Sequence, residues 1–134
     1  MNRRDAMISG AALMAMSTSA VAQTNHGNHN GVGIANPLFD AASNCVKAGL
    51  VCVDHCLQMS LTACARASDQ MFATCGTLAK LASARSPYLP AMAKVALAVC
   101  QDCETECRKH ADPACKACAE ACQACAVECQ KVAA

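Results

Sequence analysis

Five cysteines between Cys115 and Cys129, in the run CKACAEACQACAVEC, stand at successive steps of 3, 4, 3 and 4 residues. That rhythm belongs to one face of an α-helix. At about 100° per residue, Cys115, Cys118, Cys122, Cys125 and Cys129 fall within roughly 80° of one another. Lys116, Glu120, Gln123, Glu128 and Lys131 mostly point elsewhere, and Ala fills the remaining positions. The run is an amphipathic helix whose inward stripe is sulfur. Leu or Ile would bury more apolar area at such positions, so a stripe of thiols needs a chemical reason.

The rest of the chain is consistent with that helix. Its 134 residues are enough for one compact domain. With 13 Cys, two Phe, one Tyr and no Trp, a conventional core of large side chains is scarce. Abundant Ala and few β-branched residues favour helix over strand. The formal charge is +1, and no basic patch with interleaved aromatics is present, which argues against nucleic acid as a partner.

Residues 1–22 read as an export signal: Arg3 and Arg4, an apolar stretch of small residues, then Ala20-Val21-Ala22 as an A-x-A cleavage site before Gln23. The paired arginines point to a twin-arginine signal, with an ordinary secretory signal as the alternative. The expected destination is the periplasm. The apolar stretch is too short for a stable anchor, so no membrane span is expected once the signal is removed. Residues 23–35, rich in Gly and Asn and carrying His26 and His29, read as a flexible leader. Residues 36–134 are then the folded domain. An exported, Cys-dense chain is by default a disulfide scaffold. Here the count is odd, and cysteines three or four apart on one helix diverge from disulfide geometry.

Asn36-Pro37, Ser86-Pro87 and Asp112-Pro113 each pair a capping residue with Pro at a helix start. Helix 1 is expected to carry Leu38, Ala41, Cys45, Gly49, Cys52, Cys56, Met59 and Ala63 inward, with Cys64 about 100° off Cys45 in a fraying last turn. Ser68 is the expected cap of helix 2, which runs to about Arg85 with Met71, Cys75, Leu78 and Ala82 on one face. The third helix follows Ser86-Pro87, although Pro90 allows a start a few residues later. It turns Leu89, Ala93, Ala96, Cys100, Cys103 and Cys107 inward, with Met92 and His110 at the edge of that face. Four helices with short connections predict an all-α, antiparallel up-down-up-down four-helix bundle with a cysteine-lined core. In that topology Met59, Cys64, Met71, Cys107, His110 and Cys115 gather at one end. Leu38, Leu78, Leu81, Tyr88, Leu89 and Val132 gather at the other, as a hydrocarbon plug.

Thiolate is a soft ligand that selects Cu(I), zinc or iron–sulfur clusters. The loop run typical of iron–sulfur sites is missing. Zinc would bring two charges to four thiolates and leave a buried net charge, which is costly in a dry interior. Cu(I) shared between bridging thiolates approaches one ion per thiolate, so the charges cancel. Charge balance therefore favours multiple Cu(I) ions over zinc sequestration. A thiol–disulfide redox protein is a further reading, although its C-x2-C pairs lack the βαβ context such motifs occupy. A few of the thiols could be plain core, since free Cys packs as a small hydrophobe; thirteen on coincident stripes make that account inadequate. For Met59, Met71 and Met92 packing is the default reading. His110 stands open between ligand and helix C-terminal cation, and His55 reads as a solvated flank.

The cysteine-lined helices, with CQDCETEC–RKH followed by CKACAEACQACAVEC, resemble the bacterial copper storage proteins, and the leader resembles their exported branch. The resemblance implies a non-enzymatic tube that stores many Cu(I) ions along the bundle axis, commonly as a homotetramer. For exported members it implies supply to cuproenzymes such as particulate methane monooxygenase. It implies ligand roles for Cys45, Cys52, Cys56, Cys100, Cys103, Cys107, Cys115, Cys118, Cys122, Cys125 and Cys129. Cys64 and Cys75 are candidates that fit less tightly by angle, and Met59, Met71 and His110 are added from their expected shared end.

Overall fold

A computed structural model describes residues 36–133. The expected signal (1–22) and leader (23–35) lie outside the described residues. Four helices form: α1 (Pro37–Gln58), α2 (Thr62–Ser83), α3 (Leu89–Cys107) and α4 (Pro113–Val132). Each packs against its chain neighbours, and α4 closes on α1, giving the predicted antiparallel four-helix bundle. No strand occurs among the described residues. No helix there is long and apolar enough to cross a membrane.

The Asn-Pro and Asp-Pro signatures sit where expected. Asn36 caps α1, its Oδ1 accepting from the Phe39 amide at 3.0 Å, and Pro37 follows at the first helical position. The Asn36 amide also donates to the Ala82 carbonyl at 3.2 Å, tying the start of α1 to the last turn of α2. Asp112-Pro113 opens α4. After Ser86-Pro87, α3 begins at Leu89 with Pro90 in its first turn.

The first connection corrects the sequence reading. α1 stops at Gln58, and α2 starts at Thr62, so Ala63 and Cys64 belong to the second helix. Ser60 takes φ 59°, and the Leu61 amide reaches back to the Cys56 carbonyl at 2.8 Å, a left-handed turn that closes the helix end. Arg85, at φ 50°, with Ser86 bonded to the Leu81 carbonyl at 3.0 Å, ends α2 in the same way. Glycine normally occupies that conformation, and neither break carries one. Ser68 is therefore no cap; it lies inside α2 with no exposed surface. Three smaller corrections follow. Ala42 rather than Ala41 is fully buried on α1. Met71 lies mid-bundle, its Cε only 3.0 Å from where a Cβ on Gly49 would stand. Tyr88 is 73% exposed and plugs nothing.

Candidate metal centre

The inward positions of the four helices align in six layers along the bundle axis. Starting at the end with the α1–α2 and α3–α4 connections, α1 contributes Cys56, Cys52, Gly49, Cys45, Ala42 and Leu38. On α2 the matching series is Cys64, Ser68, Met71, Cys75, Leu78 and Ala82. For α3 it is Cys107, Cys103, Cys100, Ala96, Ala93 and Leu89, and for α4 Cys115, Cys118, Cys122, Cys125, Cys129 and Val132. The number of thiols per layer thus runs four, three, two, three, one and none. Sulfur fills one end and hydrocarbon closes the other, where Leu38, Leu78 and Ala82 are buried and Leu89 and Val132 are half-buried.

All thirteen cysteines are free and buried. That includes Cys64, which belongs to α2 and not to the end of α1, and Cys75, which lies on one stripe with it on α2. In the first layer Cys64 Sγ lies 3.6 Å from Cys107 Sγ, and Cys56 Sγ lies 3.7 Å from Cys115 Sγ. Cys52 reaches Cys107 at 3.8 Å, Cys103 reaches Cys118 at 3.8 Å, and Cys75 reaches Cys100 at 3.6 Å. These separations are well beyond the ~2.05 Å of a disulfide. They suit a shared d10 ion: with a metal–sulfur bond of about 2.3 Å, thiolates on one ion stand about 3.8 Å apart in tetrahedral and about 4.0 Å apart in trigonal coordination.

Four groups of thiols have every sulfur within 4.8 Å of the others: Cys52, Cys56, Cys64 and Cys115; Cys52, Cys107 and Cys118; Cys103, Cys118 and Cys122; and Cys45, Cys75, Cys100 and Cys125. Cys129 stands just below, 4.0 Å from Cys125. Cys45 also donates to the Ala121 carbonyl of α4 at 3.1 Å.

The thiols set one another's proton affinity. A buried thiol that donates to a neighbour holds its proton, so Cys107 raises Cys52, Cys103 raises Cys107 and Cys125 raises Cys129, with burial acting in the same direction. Burial, then the contacts with Cys64 and Cys115, push Cys56 up to about 12. Sulfurs that accept from several neighbours go the other way. Cys118 is lowered first by Cys103 and then Cys107, and Cys125 first by Cys100 and then Cys129. An arriving soft cation therefore meets a network in which displaced protons have neighbouring sulfurs to pass through.

The three candidates other than cysteine are placed differently from one another. Met59 caps the C-terminus of α1 and is 57% exposed. His110 is half-buried in the α3–α4 connection, where it lines a surface cavity of about 320 Å³ with Arg108, Lys116 and Glu120. It joins none of the four thiol groups. Met71 is fully buried in the third layer, far from the other two.

Sequence reasoning missed two residues. Ser68 Oγ donates to Cys52 Sγ at 3.3 Å and stands 3.7 Å from both Cys103 and Cys107. It is the one buried polar side chain among the described residues. Running the Cys75–Met71 stripe back by helical steps lands on Ser68 and then Cys64, a signal hidden by reading Ser68 as a cap. His55, read as a solvated flank, sets Nε2 3.3 Å from Asp112 Oδ2, though out of line for a hydrogen bond.

Comparison with known proteins agrees with this geometry. A family model described as "Copper storage protein" matches residues 34–134. The uncharacterized cysteine-rich protein YhjQ of Bacillus subtilis (strain 168) is 33% identical over 86 residues, which span 61% of this chain and 80% of that protein. The solved structure of Cu(I)-bound copper storage protein BsCsp3 superimposes with a TM-score of 0.69 at 33% identity, covering 72% of this chain and 95% of the other. The apo form of copper storage protein 3 from Bacillus subtilis also gives 0.69 at 33% identity, covering 73% and 97%.

Proposed function

The chain belongs to the copper storage protein family, and on that premise we propose that it stores multiple Cu(I) ions on the thiols of its bundle core. The observation that carries this reading is the column of thirteen buried, unbonded thiols, twelve of them in groups whose separations one soft ion can span and Cys129 4.0 Å from Cys125. Each Cu(I) binds as a thiol gives up its proton: one S–H bond breaks, one S–Cu bond forms, one proton leaves, and no electron moves. The positive charge of each ion replaces that of the departing proton, so a filled core remains near neutral.

Burial favours storage over redox exchange. Thiol–disulfide enzymes need an attacking thiolate open to its partner, and every sulfur here is fully buried. Zinc remains the competing cargo for the closed tetrathiol of Cys45, Cys75, Cys100 and Cys125.

The wider reading is of a periplasmic protein, exported by the twin-arginine route, that hands copper to an exported or membrane cuproenzyme such as particulate methane monooxygenase. It is supported by Arg3-Arg4 and Ala20-Val21-Ala22 in the sequence. Assembly with further copies is supported by exposed apolar residues on α1, where Leu50, Val51 and Leu57 are 56%, 62% and 65% exposed. Leu50→Lys with Leu57→Lys should lower the mass seen by light scattering.

Anaerobic titration of the reduced protein with Cu(I) tests the central claim. Saturation should approach the cysteine count and survive competition from Zn²⁺. A plateau at a handful of ions would overturn storage in favour of a chaperone or a single closed site.

A further inference from the structure

The thiol column narrows at mid-height. In the third layer α1 offers Gly49 and α2 offers Met71, and the layer above has Ser68 on α2 where its neighbours have thiols. Met71 is fully buried, and its methyl fills the space left by the missing Gly49 side chain: a Cβ there would meet Met71 Cε at 3.0 Å and Phe72 Cβ at 3.3 Å. On this flank neither helix places a thiolate between Cys52 and Cys45, or between Cys64 and Cys75. Only Cys100 and Cys122, on the opposite flank, bring thiols to the waist.

Sharing among the thiol groups follows the same division. Cys52 belongs to two groups and Cys118 to two, so three groups form one connected set that reaches down to the waist at Cys122. Cys45, Cys75, Cys100 and Cys125 share no member with any of them. A thiolate can bridge two ions and balance their charge. A serine hydroxyl is a poor match for a soft ion, and a thioether brings no negative charge.

We propose that the core is two copper stores in series: an upper one linked through Cys52 and Cys118, and a lower one built on Cys45, Cys75, Cys100 and Cys125 with Cys129 beneath, separated by the Ser68–Gly49–Met71 divider. Copper passes between them through the Cys122–Cys100 pair. Each crossing exchanges one S–Cu bond for another while a proton moves in the opposite direction, with no oxidation or reduction. The lower store has hydrocarbon below it at Leu38, Leu78 and Ala82. It therefore fills and empties through the waist, and more slowly than the upper one.

This inference rests on the Cu(I) storage reading, and one experiment separates the two. The full protein is loaded anaerobically and then challenged with excess bathocuproine disulfonate, with the coloured chelate followed over time. Two phases are expected, the slow one carrying the share of five thiols among thirteen: Cys45, Cys75, Cys100, Cys125 and Cys129. Met71→Cys, which adds a thiolate at the waist, should speed the slow phase about tenfold, whereas Met71→Leu should leave both phases in place. Should Met71→Cys fail to fold, Ser68→Cys serves instead, with acceleration in the same direction. Full loading followed by a single phase in the parent protein overturns the divider and leaves storage standing. So does acceleration by Met71→Leu equal to that by the cysteine variants. Failure of the parent to load beyond a few ions overturns storage itself.

Discussion

His55 Nε2 lies 3.3 Å from Asp112 Oδ2, setting the last turn of α1 against the residue that opens α4. Cys56, next to His55, and Cys115, in the first turn of α4, hold their sulfurs 3.7 Å apart. The end of the column richest in thiols is thus bounded by polar and soft groups, whereas the other end is bounded by carbon.

That asymmetry predicts where copper enters. Met59 and His110 lie at the sulfur-rich end, and a thioether and an imidazole are soft donors that can take Cu(I) outside the buried thiols. Replacing Met59 and His110 together by Leu should slow uptake from a weak Cu(I) donor and leave capacity nearly unchanged, because the cysteines hold the cargo. Stopped-flow loading against a colourimetric donor measures it. Equal rates, or a collapse in capacity, would remove both residues from the entry route. Met71, at the waist, has no part in this prediction.

The empty bundle should fold on its own. Protonated thiols pack as small apolar groups, so the reduced, metal-free protein is expected to show a helical circular dichroism spectrum, unlike a zinc finger. Its hydrocarbon end should bear a large share of that stability. Leu78→Ala, at a site with no exposure, is expected to cost about 2–5 kcal/mol in denaturant unfolding of the apo protein. A coil spectrum that turns helical only with copper would show that the thiols do not pack as a core.

Alkali should destabilise the apo protein. Cys56 is raised from an ordinary 9.0 to about 12 in the folded state. Between those values the unfolded chain has released this proton and the native one still holds it. The contribution of Cys56 to stability is therefore complete below pH 9 and is lost as pH rises through about 12. Urea midpoints of reduced protein should decline across that window, and a midpoint that rises there would contradict the assignment. Copper affinity should follow the opposite limb, weakening as pH falls, because each bound ion must displace a thiol proton.

Two turns are held at a cost. Ser60 and Arg85 adopt the left-handed conformation without being glycine. Ser60→Gly and Arg85→Gly should each stabilise the bundle by about 0.5–1 kcal/mol, the relief of Cβ strain less the added freedom of the unfolded chain. Thermal midpoints of the single variants are the measurement, and a fall in both would mean that the side chains are held by contacts that outweigh the strain.

These two turns also explain what the sequence could and could not convey. The bundle, its topology and the sulfur stripes were legible, because proline after a cap and a 3-4 repeat of cysteine are strong local signals. The α1–α2 boundary was not, because Ser60 does what a glycine usually announces. That one shift carried Cys64 into the wrong helix and turned Ser68, buried against Cys52, into a supposed cap. Met71 was misplaced by the same shift: with α2 opening at Thr62 and not at Ser68, it lies well inside the helix, in the space left by the side chain that Gly49 lacks. Tyr88 was misplaced for another reason: it precedes the first turn of α3, where helical phase does not determine which way a side chain faces. Contacts between helices, such as His55 with Asp112, leave no periodic mark at all.

Because every thiol lies on an inward face with no exposed surface, ions held by the thiols would be hidden from the outside of the bundle. The fold matches a Cu(I)-bound relative and a metal-free relative equally well, with a TM-score of 0.69 to each. On the proposed storage reading, a partner that distinguishes a full bundle from an empty one would do so by sampling ions at the Cys56–Cys115 end, so that delivery would be a matter of exchange at a doorway and not of a signal displayed on the wall.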